Sequence, residues 1–137
     1  MRLFVDANVL VAVLNKEYPT FTYAARVISL ADHPGYEVWT SPICLAIAFY
    51  FSEKKSGAKH AKDKMLLLAE RLRISTTDHR VVFDTMENPK VLDVEDGLEY
   101  YSALNADCKY IITEDTGDFH FSKIPVSNCE DFLTQHF

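Results

Sequence analysis

Three aspartates stand directly after predicted strands, where side chains from distant parts of a chain can meet. Asp6 follows the apolar run Arg2–Val5, and Asp115 and Asp118 follow the apolar run Lys109–Thr113. If both runs are central, parallel strands, these carboxylates share the crevice beyond the carboxyl ends of the sheet, where α/β proteins usually bind ligands. We therefore expect one acidic crevice built from the two ends of the chain.

A fourth aspartate can reach the same crevice. Asp96 lies near the start of a helical stretch, with Glu95 and Glu99 as neighbours. Clustered carboxylates repel one another unless they are protonated or bridged by a cation, and hard oxygen ligands favour Mg²⁺ or Mn²⁺. Such an ion can bind a phosphate oxygen and lower the pKa of an attacking water, so the set predicts metal-assisted phosphodiester hydrolysis. Each aspartate taken singly is more often a helix cap or a solvated residue, and the prediction depends on the set.

The elements that must position these residues alternate along the chain. Strands are predicted over Arg2–Val5, Tyr36–Trp39, Arg73–Ser75, Lys109–Thr113 and Ile124–Ser127. Helices are predicted over Val9–Asn15, Thr20–Ala31, Val94–Asn105 and from Asn128 onward, and Thr20 or Thr22 is the predicted cap of the second. A further helix is predicted from Ser41 through Phe51, continuing along a basic stretch to Leu72. Another is predicted to end at Glu87, with Thr77 or Asp78 as its cap. This order implies an α/β fold with three α/β/α layers around a mostly parallel sheet of about four to five strands. With no linker or repeat, we expect a single domain over residues 1–137.

The charges are unevenly distributed. The formal net charge is -6, yet residues 54–73 form a basic segment, whereas the chain from Asp84 onward has twelve acidic and three basic residues. The basic segment could bind RNA phosphates through its lysines, or it could be an ordinary solvated helical face, and the sequence favours neither. The RNA-binding candidates are Lys54, Lys55, Lys59 and Lys62.

The remaining composition excludes other classes of protein. Cys44, Cys108 and Cys129 are odd in number and widely spaced, which favours neither a disulfide framework nor a zinc site. No apolar run approaches the roughly 18 residues that span a bilayer, and the N-terminus lacks the layout of a secretory signal. We expect a cytoplasmic protein without a membrane partner.

Two segments resemble the PIN domain family, whose members include the toxin ribonucleases of bacterial toxin–antitoxin pairs. They are the opening LFVDANVL and the later stretch VEDGLEYYSALNADCKYIITEDTGDF. The resemblance implies that Asp6, Asp96 and Asp118 are catalytic and bind metal. It also implies that Asp115 is a further metal ligand and that Asn8 and Thr113 support the site.

The segment TSPICLAIAFYF departs from the family pattern. Many PIN nucleases have a glutamate in this helix, and the alignment places Ile47 there, which cannot coordinate a metal. Glu53 lies six positions further on, about 600° around a helix, and so points to another face.

The resemblance therefore implies a metal-dependent endoribonuclease that uses Mg²⁺ or Mn²⁺, cleaves RNA, forms a homodimer and is blocked by an antitoxin protein. An alternative hypothesis is a catalytically impaired PIN-like module that binds RNA or a protein partner, supported by Ile47. A nuclease for structured DNA is a third hypothesis, although the chain shows no added DNA-binding element.

Overall fold

A five-stranded parallel sheet forms the centre of the molecule. The computed structural model describes residues 1–137. Its strands are β1 (Arg2–Val5), β2 (Glu37–Thr40), β3 (Arg73–Ile74), β4 (Tyr110–Ile112) and β5 (Val126–Ser127). They pair in the order β3-β2-β1-β4-β5, and every neighbouring pair is parallel. The predicted parallel sheet is confirmed, with β1 at its centre.

Seven α-helices flank this sheet and complete the predicted three-layer α/β/α arrangement. They are α1 (Ala7–Leu14), α2 (Thr20–Ser29), α3 (Pro42–Ser56), α4 (Ala58–Arg71), α5 (His79–Glu87), α6 (Val94–Asn105) and α7 (Cys129–His136). The longest of them, α3, has 15 residues. None of these helices combines the length and the apolar character that a membrane crossing requires.

The central strands are buried on both faces. Leu3, Phe4 and Val5 of β1 have no exposed surface, and Ile111 and Ile112 of β4 are equally buried. This explains why the strands read as continuous apolar runs rather than as alternating ones. The register pairs Val5 with Ile112, so the segments that follow β1 and β4 leave the sheet side by side.

The capping and the C-terminal end of helix α2 differ from the prediction. Helix α2 is preceded by Pro19, and no side chain caps it, so the predicted Thr20 or Thr22 cap is wrong. Thr20 is instead the first helical residue, and the helix ends at Ser29 before a 3₁₀ turn over Leu30–Asp32.

The basic segment is divided between two helices rather than lying on one. Gly57 separates α3 from α4 with a φ of 83°, a backbone conformation that side chains other than glycine rarely adopt. The chain changes direction there, and α3 and α4 pack against each other. The lysines are therefore spread over the end of α3 and the exposed face of α4.

Helices α5 and α6 pack closely through Gly97. A Cβ atom at this position would lie 2.5 Å from Cγ2 of Thr85 and 2.6 Å from Cγ1 of Val91, closer than atoms can approach without movement. Gly97 thus fixes the path of α6, which carries the acidic residues discussed below.

Asp78 caps α5 by accepting a hydrogen bond from the Val81 amide, and it is one of the two caps predicted for this helix.

Candidate metal centre

Five of the six residues proposed from the sequence for the metal site line one cleft beyond the carboxyl end of the sheet. They are Asp6, Asn8, Asp96, Asp115 and Asp118. The same cleft is lined by Glu17, Asp93 and Glu95, and by the apolar residues Ala7, Val11, Ile47 and Phe51. The cleft therefore has seven carboxylate side chains and no lysine, arginine or histidine in its lining. Thr113, the sixth residue, is buried beneath it and bonds to Asp6.

Asp6 is held at the base of this cleft. It is the N-cap of α1, and its Oδ1 accepts a hydrogen bond from the Ala7 amide at 2.6 Å. Its Oδ2 accepts one from the Thr113 hydroxyl at 2.8 Å. Burial raises the pKa of Asp6, while the hydrogen bonds it accepts oppose that rise. Asp6 is thus both a structural cap and a fixed carboxylate facing the cleft.

Thr113 and Asn8 have their orientations set by a closed hydrogen-bond network. The Thr113 oxygen accepts from the Asn8 side-chain amide and from the Asp115 backbone amide, both at 3.1 Å. A hydroxyl has one hydrogen to donate and two lone pairs to accept with, so its hydrogen must point to Asp6. The Asn8 amide also donates to Asp115 at 3.3 Å, and its carbonyl accepts from the Glu114 amide at 3.1 Å. This network fixes the ends of β1 and β4 relative to each other.

Asp115 and Asp118 follow β4 on a short exposed segment. Asp118 belongs to a 3₁₀ turn over Thr116–Phe119, and buried Phe119 anchors that turn in the core. Both carboxylates are exposed and line the cleft. Their neighbour Glu114 has a different role, because its Oε2 accepts from the Cys129 amide at the start of α7.

Helix α6 brings further carboxylates to the cleft. Asp93 caps the helix by accepting from the Glu95 amide at 2.9 Å. Burial, followed by the charges of Asp93 and Asp118, raises the pKa of Asp96 to about 7. Burial and the charge of Asp93 also raise the pKa of Glu95. Asp96 and Asp118 both line the cleft, where their negative charges repel each other.

Sequence reasoning missed the role of Glu99, which was noted only as a neighbour of Asp96. It is 1% exposed, and one of its carboxyl oxygens lies within 4.8 Å of both an Asp6 oxygen and the Cys44 sulfur. Burial and the charge of Asp6 raise the pKa of Glu99 to about 10. Its position three residues after Asp96 was the available signal, because residues at i and i+3 share a helix face.

Cys44 positions Glu99 rather than offering a reactive thiolate. Its thiol donates to Oε1 of Glu99 at 3.2 Å, and the thiol is fully buried. Burial and the adjacent Glu99 and Asp6 charges raise the pKa of Cys44 well above its usual value. Cys44 therefore remains a neutral donor, and all three cysteines are free and buried.

The wall formed by α3 is apolar. Ile47 lines the cleft, as does Phe51 one turn further along α3. Glu53 is exposed and does not line the cleft. The structure thus places Ile47 where an acidic residue would face the aspartates.

Comparison with known proteins identifies the family. A family model described as PIN domain matches residues 2–117 of this chain. The chain belongs to the PIN domain family. Ribonuclease VapC1 of Aquifex aeolicus (strain VF5) is similar, with 25% identity over 134 residues, 96% of this chain and 92% of that protein.

Solved structures share the PIN fold at low sequence identity. VapBC2 from Rickettsia felis, bound to a DNA fragment from its promoter, matches with a TM-score of 0.72 and 18% identity, covering 93% of this chain and 98% of that chain. VapC20 of Mycobacterium tuberculosis, described as a sarcin-ricin loop cleaving toxin, matches with a TM-score of 0.62 and 15% identity, covering 80% and 86%. These similarities show the fold.

None of the four lysines proposed to bind RNA lines the PIN cleft. Lys54 lies over the ring of Tyr50, and Lys55 donates to the backbone oxygen of Asn15 at the end of α1. Lys59 and Lys62 are exposed on α4. Two of the four lysines therefore have structural contacts, whereas Lys59 and Lys62 extend into solvent.

The donor set of this PIN domain fits a hard divalent cation. Several carboxylates meet without a basic partner, and buried Oε2 of Glu99 has no hydrogen-bond partner. A buried carboxylate oxygen with no donor is unfavourable, and either a proton shared with Asp6 or a cation bound by both carboxylates would satisfy it. The family and this chemistry agree on divalent metal.

Proposed function

We propose that this PIN domain is a metal-dependent endoribonuclease, the toxin component of a toxin–antitoxin pair. The observation that carries the proposal is the convergence of seven carboxylates on one cleft that has no basic side chain in its lining. Such a cleft repels RNA phosphates unless a cation intervenes. A function that uses the cleft for RNA therefore requires a divalent ion.

In the proposed mechanism, Asp6, Asp96 and Asp118 hold Mg²⁺ or Mn²⁺, with Asp115 as a further ligand. When bound, the ion supplies positive charge for the scissile phosphate and acidifies a water for attack. Thr113 and Asn8 keep the ligands in place: Thr113 directs its hydroxyl hydrogen to Asp6, and Asn8 donates to Asp115. The apolar α3 wall, formed by Ile47 and Phe51, shields one side of the ligands from water.

RNA is the substrate that the similar proteins support. Ribonuclease VapC1 is named for that activity, and VapC20 is described as cleaving the sarcin-ricin loop. We propose that the exposed lysines Lys59 and Lys62, with Lys54 and Lys55 at the end of α3, attract the RNA backbone toward the acidic cleft. We place the protein in the cytoplasm with this substrate.

We also propose two protein partners, a second copy of the chain and an antitoxin. The solved VapBC assemblies of Rickettsia felis and nontypeable Haemophilus influenzae support the antitoxin. Light scattering tests the dimer, and a particle with the 15.6 kDa mass of one chain would contradict it. Co-expression with a neighbouring reading frame should give a complex without RNA cleavage, and full cleavage by that complex would contradict the antitoxin.

Asp118→Asn tests the proposed activity. The residue is exposed, so the variant should fold normally but lose RNA cleavage at least about 100-fold, because asparagine lacks the charge. Asp107→Asn is the matched control, since Asp107 is exposed and precedes β4 at the opposite end of the sheet. Its φ of 57° suits asparagine. Equal cleavage by both variants and the unmodified protein would place the activity elsewhere.

A further inference from the structure

Glu99 is the one acidic residue at this site that the solvent does not reach. Asp96, on the same face of α6, is partly exposed, whereas Glu99 is 1% exposed and lies against Asp6. Fully buried glutamates are rare unless a partner compensates for the lost hydration. No lysine or arginine pairs with Glu99 in this structure.

Only one of the two carboxyl oxygens of Glu99 accepts a hydrogen bond. Oε1 accepts from the Cys44 thiol at 3.2 Å, and thiols are weak donors. Oε2 is buried without a hydrogen-bond partner. In the metal-free protein only a proton shared with Asp6 could satisfy this oxygen.

The remaining neighbours explain what the free oxygen can bind. Asp6 already accepts hydrogen bonds from Ala7 and Thr113 and so presents further acceptor capacity, not a donor, toward Glu99. Two carboxyl groups in contact need either a shared proton or a shared cation. Because the wall of α3 offers only Ile47 and Phe51 to the cleft, Glu99 is the carboxylate that can oppose Asp6 from within the core.

We propose that Glu99 is a metal ligand, binding the same divalent ion as Asp6 through its unpaired oxygen and supplying the carboxylate that α3 lacks. The inference rests on the proposed function, because it concerns the same ion. Cys44 acts as a positioning residue that holds Oε1 of Glu99 beside Asp6.

The test is the Mn²⁺ affinity of Glu99→Gln, measured by calorimetry beside the unmodified protein and Asp6→Asn. Glutamine has the same shape, can keep the Cys44 bond and can donate to Asp6, so the metal-free variant should melt no lower than the unmodified protein. Its Mn²⁺ dissociation constant should rise at least about tenfold, and its melting temperature should rise less on addition of Mn²⁺. Glu70→Gln is the matched control, because Glu70 is exposed on α4 just before β3, at the opposite end of the sheet.

The outcomes separate this inference from the proposed function. In one outcome, the unmodified protein binds Mn²⁺, Asp6→Asn weakens Mn²⁺ binding, and Glu99→Gln has a dissociation constant within about threefold of the unmodified protein. In that case Glu99 is not a ligand, but the proposed function stands. If the unmodified protein does not bind Mn²⁺, both proposals fail. Should Glu99→Gln not fold, Glu99→Met fills the buried position with an apolar side chain, and its Mn²⁺ affinity is judged by the same threshold.

Discussion

The two walls of the cleft differ in almost every chemical respect. The α6 wall contributes Asp93, Glu95 and Asp96, and the pKa values of Glu95 and Asp96 are raised. The α3 wall contributes Ile47 and Phe51 and no charge. The charge of this site is therefore concentrated away from α3, so a bound cation should be held between α6 and the ends of β1 and β4.

The largest expected difference is between a substitution on the α6 wall and one at the buried Cys44 of α3. Asp96→Asn should lower RNA cleavage at least about 100-fold, because it removes a charged ligand from the α6 wall. Cys44→Ser keeps a hydrogen-bond donor to Glu99 on the α3 side and should change cleavage less than about threefold. Cleavage rates under Mn²⁺ saturation measure both effects. A loss of similar size in the two variants would mean that the buried Cys44 matters to cleavage as much as the α6 wall does.

The stability of the metal-free protein should depend on pH through the α6 wall. The pKa of Glu99 is raised to about 10 from an ordinary value of 4.5, so the folded protein keeps a proton that the unfolded chain releases. This stabilisation is complete below pH 4.5 and is lost as the pH rises through the folded-state pKa. Between pH 6 and 8 the free energy of unfolding should fall by up to about 1.4 kcal/mol per pH unit from this group.

Urea unfolding with EDTA at both pH values measures that slope. Asp96, with a pKa of about 7, contributes in the same direction at the lower end of the range. Glu99→Gln has no such proton and should give a flatter profile. A profile identical to that of the unmodified protein would show that Glu99 titrates alike in both states.

A charge added to the α3 wall should reduce the asymmetry. Ile47→Glu places a carboxylate in the cleft and should tighten Mn²⁺ binding about tenfold, equivalent to about 1.4 kcal/mol. Ile47 is half-buried, so this charge retains some hydration. Ile47→Gln is the matched variant of the same length without the charge, and calorimetry should show no tightening for it. Lost stability with unchanged Mn²⁺ affinity in Ile47→Glu would mean that position 47 cannot reach the ion.

The smallest effect is expected outside both walls, on the basic face of α4. Removing the charges of Lys59 and Lys62 as a double glutamine variant should weaken RNA binding roughly two- to tenfold and reduce its salt dependence. The control is the double glutamine variant of Lys109 and Lys123, two exposed lysines. This variant changes the net charge by the same amount. Filter binding at several salt concentrations compares them. Equal weakening by both pairs would indicate a general effect of net charge.

The strand ends were predictable from the sequence because their geometry follows from the parallel sheet. Asp6 and Asp118 each follow a strand, and adjacent parallel strands end at the same edge. The role of Glu99 was not predictable in the same way. Its spacing from Asp96 shows a shared helix face, but its burial depends on the Cys44 side of α3 packing over it, which is a tertiary contact.

The predictions of the cap of α2 and of an unbroken helix across α3 and α4 were wrong because local sequence patterns did not mark these boundaries. The start of α2 at Thr20 follows Pro19 without a side-chain cap, so no local hydrogen bond marked the boundary that was predicted from the threonines. Gly57 divides the basic segment because its positive φ turns the chain, and a helical pattern alone does not reveal such a turn.

The most direct test of the account is a calorimetric titration of Mn²⁺ into the EDTA-treated, dialysed protein with Asp6→Asn alongside. Asp6 is fixed by Ala7 and Thr113 at the base of the cleft, so its charge should dominate the affinity. We predict saturable Mn²⁺ binding by the unmodified protein and a dissociation constant at least about tenfold higher for Asp6→Asn. No binding up to millimolar Mn²⁺, or equal affinity in the two proteins, would contradict the metal site on which the proposed ribonuclease depends.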